Sequence, residues 1–274
     1  MKMKQTLLGM ALAASLMAPA TALAVPASAA DVLSINGQNL WTQSQAHLVE
    51  GGTTYVSLRT VAQALAPNTK VTWEDGAAWV RGNGLTLSAR PGEQWLMVND
   101  RALYIPHQVR LENGRTMVPV RVLAQALGGT VDWSWEEGVV LTPGSGKPAP
   151  ADYTEEDLYW MSRIISAESR GEPMLGKLAV GTVVLNRVAS DEFPDTIHDV
   201  IFDRKWGIQF APVGNGTVYL EPTAESVLAA KLVLDGARAA GDSLYFLAPE
   251  LTDNHWIMEN QSYVTTIGCH WFYK

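Results

Sequence analysis

Eight residues near the middle of the chain, Pro143-Gly144-Ser145-Gly146-Lys147-Pro148-Ala149-Pro150, mix stiff proline with loose glycine and carry no apolar period. Neither a helix nor a strand runs through such a stretch, so the chain on each side has to close a core of its own. Before it the sequence reads as short strand-like runs, and after it as apolar residues at helical spacing. A length of 274 residues leaves room for two modest domains and a leader. The expected organisation is a leader over 1–30, a first domain over 31–142, a linker over 143–152 and a second domain over 153–274.

The first domain contains an internal repeat. Thr54-Tyr55-Val56-Ser57-Leu58-Arg59 leads into Val61-Ala62-Gln63-Ala64-Leu65, and Thr116-Met117-Val118-Pro119-Val120-Arg121 leads into Leu123-Ala124-Gln125-Ala126-Leu127. Each copy reads as a strand entering a helix, with Ser57 and Pro119 at the helix start. Leu58, Val61, Ala62 and Leu65 fall at i, i+3, i+4 and i+7, as do Val120, Leu123, Ala124 and Leu127. Asn36-Gly37, Asn99-Asp100 and Asn113-Gly114 supply turns between strands. The pattern predicts a duplicated α+β module.

The N-terminus begins with Lys2 and Lys4, runs apolar from Thr6 to about Val25, and offers small-residue cleavage sites at Ala22-Leu23-Ala24 and Ala27-Ser28-Ala29. That is the pattern of a signal peptide, and it predicts export. The net charge is −8, or about −10 once the two leader lysines are gone. An acidic chain is a poor partner for nucleic acid and for anionic wall polymers. Binding to a polysaccharide would then rest on stacking and hydrogen bonds, for which ten tryptophans supply surface. Cys269 is the only cysteine, so no internal disulfide can form. It reads as a small buried residue. A thiol nucleophile served by His270 is disfavoured, because neighbours in an extended segment point opposite ways.

The repeat resembles the copper-amine-oxidase N-terminal-like, or stalk, domain over roughly residues 31 to 142. Copper chemistry needs a histidine cluster, whereas this region has only His47 and His107. The module therefore reads as a spacer or as an association with the cell wall or spore coat. Trp41, Trp73, Trp95 and Trp133 each read as core residues, with stacking on sugars as the alternative.

In the second domain Thr154 precedes Glu155-Glu156-Asp157, an N-cap followed by an acid at the third helical position. Leu158, Met161 and Ile165 form the apolar stripe of that helix, and Glu168 falls on its edge. A carboxylate there is costly unless it is paired or protonated. Desolvation raises its pKa, which suits a general acid near neutral pH. By periodicity alone, an ion pair with Arg163 or Arg170 is the more ordinary use of such a residue.

The surrounding motifs change that balance. Ala167-Glu168-Ser169-Arg170-Gly171-Glu172-Pro173 is followed by Ala179 to Val188, Phe193-Pro194-Asp195-Thr196-Ile197, Gln209-Phe210-Ala211-Pro212-Val213, Leu244 to Pro249, Trp256 and Ile267 to Phe272. In this order they resemble the SleB-type cell-wall hydrolases, the spore-cortex-lytic enzymes and their vegetative relatives. The resemblance covers nearly all of 155–274.

It implies a mainly α, lysozyme-like catalytic domain with minor β structure. It also implies peptidoglycan glycan strands as substrate, Glu168 as the acid, and lytic transglycosylation between N-acetylmuramic acid and N-acetylglucosamine. No metal or other cofactor is expected, and His198, His255 and His270 lack zinc-motif spacing. Candidate substrate contacts are Arg170, Glu172, Gln209, Tyr245 and Trp256. For Glu172 a structural role closing the turn around Gly171 is the stronger reading. Asn186 and Arg187 read as scaffolding for their helix. The family often carries Ser or Thr where this chain has Ala211, so that hydroxyl is missing. A stem-peptide amidase and a wall-binding protein without activity are the competing functions. The expected location is the cell wall or spore cortex, and the sequence leaves open a role in sporulation, germination or vegetative wall turnover.

Overall fold

The computed structural model describes residues 32–49, 51–252 and 255–274. The leader expected over 1–30 lies outside them. No helix among the described residues is long and apolar enough to cross a membrane.

The N-terminal region begins with β1 (Leu33–Ile35), β2 (Gln38–Asn39), β3 (His47–Val49), β4 (Thr53–Ser57) and α1 (Leu58–Leu65). It continues through β5 (Lys70–Glu74), β6 (Ala77–Gly82), β7 (Leu85–Ala89), β8 (Trp95–Val98) and β9 (Arg101–Tyr104). β10 (Arg110–Glu112), β11 (Arg115–Pro119), α2 (Val120–Ala126), β12 (Thr130–Ser134) and β13 (Gly138–Thr142) complete it. The two repeat strands meet each other: β4 and β11 pair antiparallel at the centre of the sheet β10-β11-β4-β3, with Val56 opposite Val118. Each then enters its helix. Ser57 caps α1 by accepting from the Thr60 N–H, and Pro119 sits at the start of α2. The predicted faces are the buried ones, since Leu58, Val61, Ala62, Leu123, Ala124 and Leu127 are all enclosed in one core. Asn36, Asn99 and Asn113 adopt the left-handed conformation that their turns require.

The C-terminal region is mainly helical, as expected: α3 (Glu155–Ser169), α4 (Met174–Val188), α5 (Ile197–Phe202), α6 (Ala211–Asn215) and α7 (Ala224–Leu234). A small three-stranded sheet follows, from β14 (Tyr245–Leu247), β15 (Tyr263–Ile267) and β16 (His270–Tyr273), ordered β14-β16-β15, with α8 (Trp256–Asn260) between β14 and β15 in the chain. The α3, α4 and α7 helices pack on one another around Met161, Ile165, Val180, Val183 and Val233. Gly181 permits the close approach, because a Cβ there would press on Ile165 and Val233.

The two regions touch, which the linker composition did not announce. The β8–β9 hairpin is covered on both faces. Leu96, Val98 and Leu103 fill the N-terminal core, while Trp95, Met97, Ala102 and Tyr104 pack on the helical core beside α7. An ion pair between Arg101 and Asp235 closes this contact, with the Asp235 side chain only 3% exposed. Arg101 also donates to the Ala149 and Pro150 carbonyls, and Lys231 donates to the Asp100 carbonyl. The proline-glycine run is therefore held against the β9 arginine at its downstream end.

Candidate active site

The α3 helix starts at a capping box in which Thr154 and Asp157 satisfy each other's backbone N–H groups. From there Met161, Ile164 and Ile165 run inward at full burial, and Glu168 continues that face one turn later. Glu168 is largely enclosed, and burial pushes its carboxyl up to about 7, against the opposing pull of the Arg187 guanidinium.

The competing ion pairs are not made. Arg163 lies over the Tyr159 ring and pairs with Glu221 at 3.0 Å, and Arg170 donates to the Glu221 carbonyl. Both arginines flanking Glu168 are thus drawn to another segment. At about 100° per residue, Ser166, Ala167 and Arg170 occupy the side of α3 away from Glu168. With Asn215, Thr217 and Leu220 they line a separate cleft of about 320 Å³.

The cation that acts on Glu168 is Arg187, which is 4% exposed and sits on α4 in line with Val180, Val183 and Val184. Its Nε donates to the Leu244 carbonyl at 2.7 Å, and its guanidinium lies within 4.8 to 5.6 Å of the Phe193, Phe210 and Tyr245 ring centres. Burial lowers its pKa to about 10, while Tyr245, Asp203 and Glu168 act to raise it. It stays a cation at neutral pH, and its Nη1 atom is buried without a hydrogen-bond partner. Arg187 was expected only as scaffolding. The signal was present, since an arginine continuing a fully apolar helical stripe is buried and has to face something.

Neighbouring contacts fix the sheet wall. Asn186 donates to the Gly241 and Ser243 carbonyls, and Thr182 accepts from the Ala239 N–H. These bonds anchor the segment that begins β14, so Tyr245 is set beside Arg187. The Trp256 ring lies edge-on to Tyr245 at 6.3 Å and is half exposed. Gln209 precedes the buried Phe210 and donates to the Gly207 carbonyl. Arg187, Tyr245, Phe210 and Trp256 therefore form one continuous group, to which Glu168 is linked through the charge of Arg187, and Gln209 adjoins it in sequence.

Glu172 stands apart from it. Gly171 and Pro173 do end the helix, and the Glu172 carboxylate accepts the Cys269 N–H and faces His270 Nδ1 at 4.0 Å. Gly268, with φ +59°, makes that approach possible, because any Cβ there would collide with the carboxylate. These contacts tie Glu172 to the turn between β15 and β16. Cys269 corrects an expectation: it is exposed, in a turn where its backbone N–H donates to the Glu172 carboxylate. Glu172 raises the thiol pKa, which works against a thiolate nucleophile.

Fold and site together define a two-part protein, a β-rich duplicated module joined to a helical domain in which a carboxyl group of raised pKa is enclosed near an aromatic wall. The copper amine oxidase N-terminal domain model matches residues 34–142 and the cell wall hydrolase model matches residues 171–273. A spore cortex-lytic enzyme of Bacillus cereus is 36% identical over 129 residues, covering 47% of this chain and 48% of the relative. The cell wall hydrolase CwlJ of Oceanobacillus iheyensis is 30% identical over 108 residues, covering 37% of this chain and 75% of the relative. The catalytic domain of the germination-specific lytic transglycosylase SleB from Bacillus anthracis aligns over its full length with 46% of this chain, at 36% identity and a TM-score of 0.42. The chain belongs to the cell wall hydrolase family. It spans about half the length of the first curated relatives it matches.

Proposed function

We propose that this chain is an exported peptidoglycan-lytic enzyme that cuts the glycan strand between N-acetylmuramic acid and N-acetylglucosamine by lytic transglycosylation. The observation that carries the reading is the Glu168 carboxyl, enclosed, free of an ion pair and held near pKa 7. A group with that pKa is protonated often enough to donate and ionised often enough to accept. Glu168 first protonates the glycosidic oxygen, and the bond to C1 breaks. Its carboxylate then takes the proton from the muramic 6-hydroxyl as that oxygen closes on C1. Burial favours the neutral acid and Arg187 favours the carboxylate, so the pair keeps both states within reach of one turnover. A hydrolase would instead use a second carboxylate as nucleophile or base.

Tyr245 and Trp256 form the wall on which sugar faces stack, with the Tyr245 hydroxyl as a donor. Gln209 hydrogen-bonds the strand at the border of the site. Arg170 binds a continuation of the strand in the separate cleft on the other side of α3, and Glu172 holds the β15–β16 turn. The leader over 1–30 directs export and is removed. The module over 31–142 associates with the cell wall or spore coat, the linker over 143–152 joins it to the catalytic domain over 153–274, and the enzyme acts on wall or cortex.

Digestion of peptidoglycan in oxygen-18 water, read by mass spectrometry, tests this. Unlabelled anhydromuramyl ends are expected. Labelled reducing muramic ends would replace transglycosylation by hydrolysis, free stem peptides would make the protein an amidase, and an unchanged substrate would leave a wall-binding protein.

A further inference from the structure

The N-terminal module exposes tryptophan where its fold has no use for it. Trp73 and Trp133 occupy equivalent places in the two repeats, each on the strand after its helix and each two residues beyond a valine, Val71 or Val131. Both strands, β5 and β12, are outer strands of their sheets. Trp73 is 50% exposed, Trp133 53% and Trp135 84%. None of the three belongs to the module's core, and Trp41, by contrast, packs against it. Edge strands are ordinarily blunted by charge, so a large aromatic retained there in both repeats points outward to a ligand.

The geometry favours one kind of ligand. Trp133 and Trp135 meet edge to face, with ring centres 4.8 Å apart and planes 71° apart, which makes an open corner. Asp132, Glu136 and Glu137 flank it, as Thr72 and Glu74 flank Trp73. Carboxylates repel polyanions and would oppose each other across a symmetric contact between two copies of the chain. They accept hydrogen bonds from hydroxyl and amide groups, and indole rings take the apolar faces of sugar rings.

We propose that Trp133 and Trp135, with Trp73 as a repeat-related second contact, bind the N-acetylated sugar rings of peptidoglycan glycan strands by stacking. This deepens the reading of the module as the wall-associating part of a glycan-lytic protein. Two such contacts on one strand would gain by avidity, so the module would hold the enzyme on an insoluble wall.

The test uses the full chain and two substrates, insoluble peptidoglycan for co-sedimentation and short soluble glycan fragments for cleavage. Trp133→Ala/Trp135→Ala should weaken sedimentation at least about tenfold and leave fragment cleavage and the melting temperature unchanged. Trp73→Ala should weaken it less, and Trp133→Phe/Trp135→Phe should restore most of the binding. Undiminished sedimentation of the double alanine variant would overturn the proposal. So would a loss of sedimentation that came with an equal loss of fragment cleavage or of folding, or with the loss of a self-associated species. Wild-type protein that cleaves nothing yet sediments through these tryptophans would sink the enzymatic reading and leave this one standing.

Discussion

The two halves of the molecule treat charge in opposite ways. In the N-terminal module the buried polar residues are hydroxyl-bearing only, Ser44, Ser57 and three threonines among them, and carboxylates such as Glu74 sit at the surface paired with arginine. In the helical domain Lys177, Arg187 and His270 are buried, and Glu168 is enclosed beside a cation. Burying ionisable groups costs several kcal/mol unless they are paired, so a fold that does so repeatedly gives up stability for something else. A module free of that cost is a scaffold. A domain that carries it, and that also encloses a carboxyl group with a raised pKa, is where the chemistry belongs.

The sharpest way to break this contrast is to remove the acid. Glu168→Gln preserves shape and should reduce glycan cleavage by roughly 100- to 10,000-fold, about 3 to 5 kcal/mol of barrier, in an assay of ends released from peptidoglycan. Next comes the contact between the halves. Arg101→Met leaves the Asp235 carboxylate buried without its partner and should lower the stability of the full chain by about 3 kcal/mol, read from denaturant midpoints. A chain beginning at Ala151 exposes Asp235 to water instead. It should fold, cleave soluble strands and lose less stability than the single substitution does. Arg187→Gln removes the charge that opposes the raised Glu168 pKa, so the alkaline limb of the kcat/KM profile should move upward. The smallest effect is expected at Glu74→Gln, where an exposed pair is lost and the midpoint should not move measurably.

Much of this was legible because it is local. The stripes of α1 and α2 follow from spacing within eight residues, and so does the placement of Glu168 on the inward face of α3. The end of that helix was written in Gly171 and Pro173. What could not be read is set by partners far along the chain. Cys269, 97 residues from Glu172, uses its backbone N–H, which no side-chain pattern reveals. Arg101 finds Asp235 across 134 residues. Trp95 was read as a core residue, but nothing local says that its hairpin packs against α7 of the other region. Trp73 and Trp133 were expected in the core and lie outside it, because edge strands and central strands look alike in sequence.

The central claim is that Glu168 is an enclosed carboxyl group that, in the folded protein, keeps its proton up to about neutral pH. It is tested most directly by the stability difference between wild type and Glu168→Gln from pH 4 to pH 8. A folded pKa of about 7 against an ordinary 4.5 means that the folded state binds the proton more tightly. Wild-type stability should then fall, relative to the variant, as pH rises from about 4.5 to about 7. The deficit should level off above that at ~3 kcal/mol. A difference that stays flat across the range would mean that Glu168 titrates like an exposed carboxylate, and the account of the acid would be wrong.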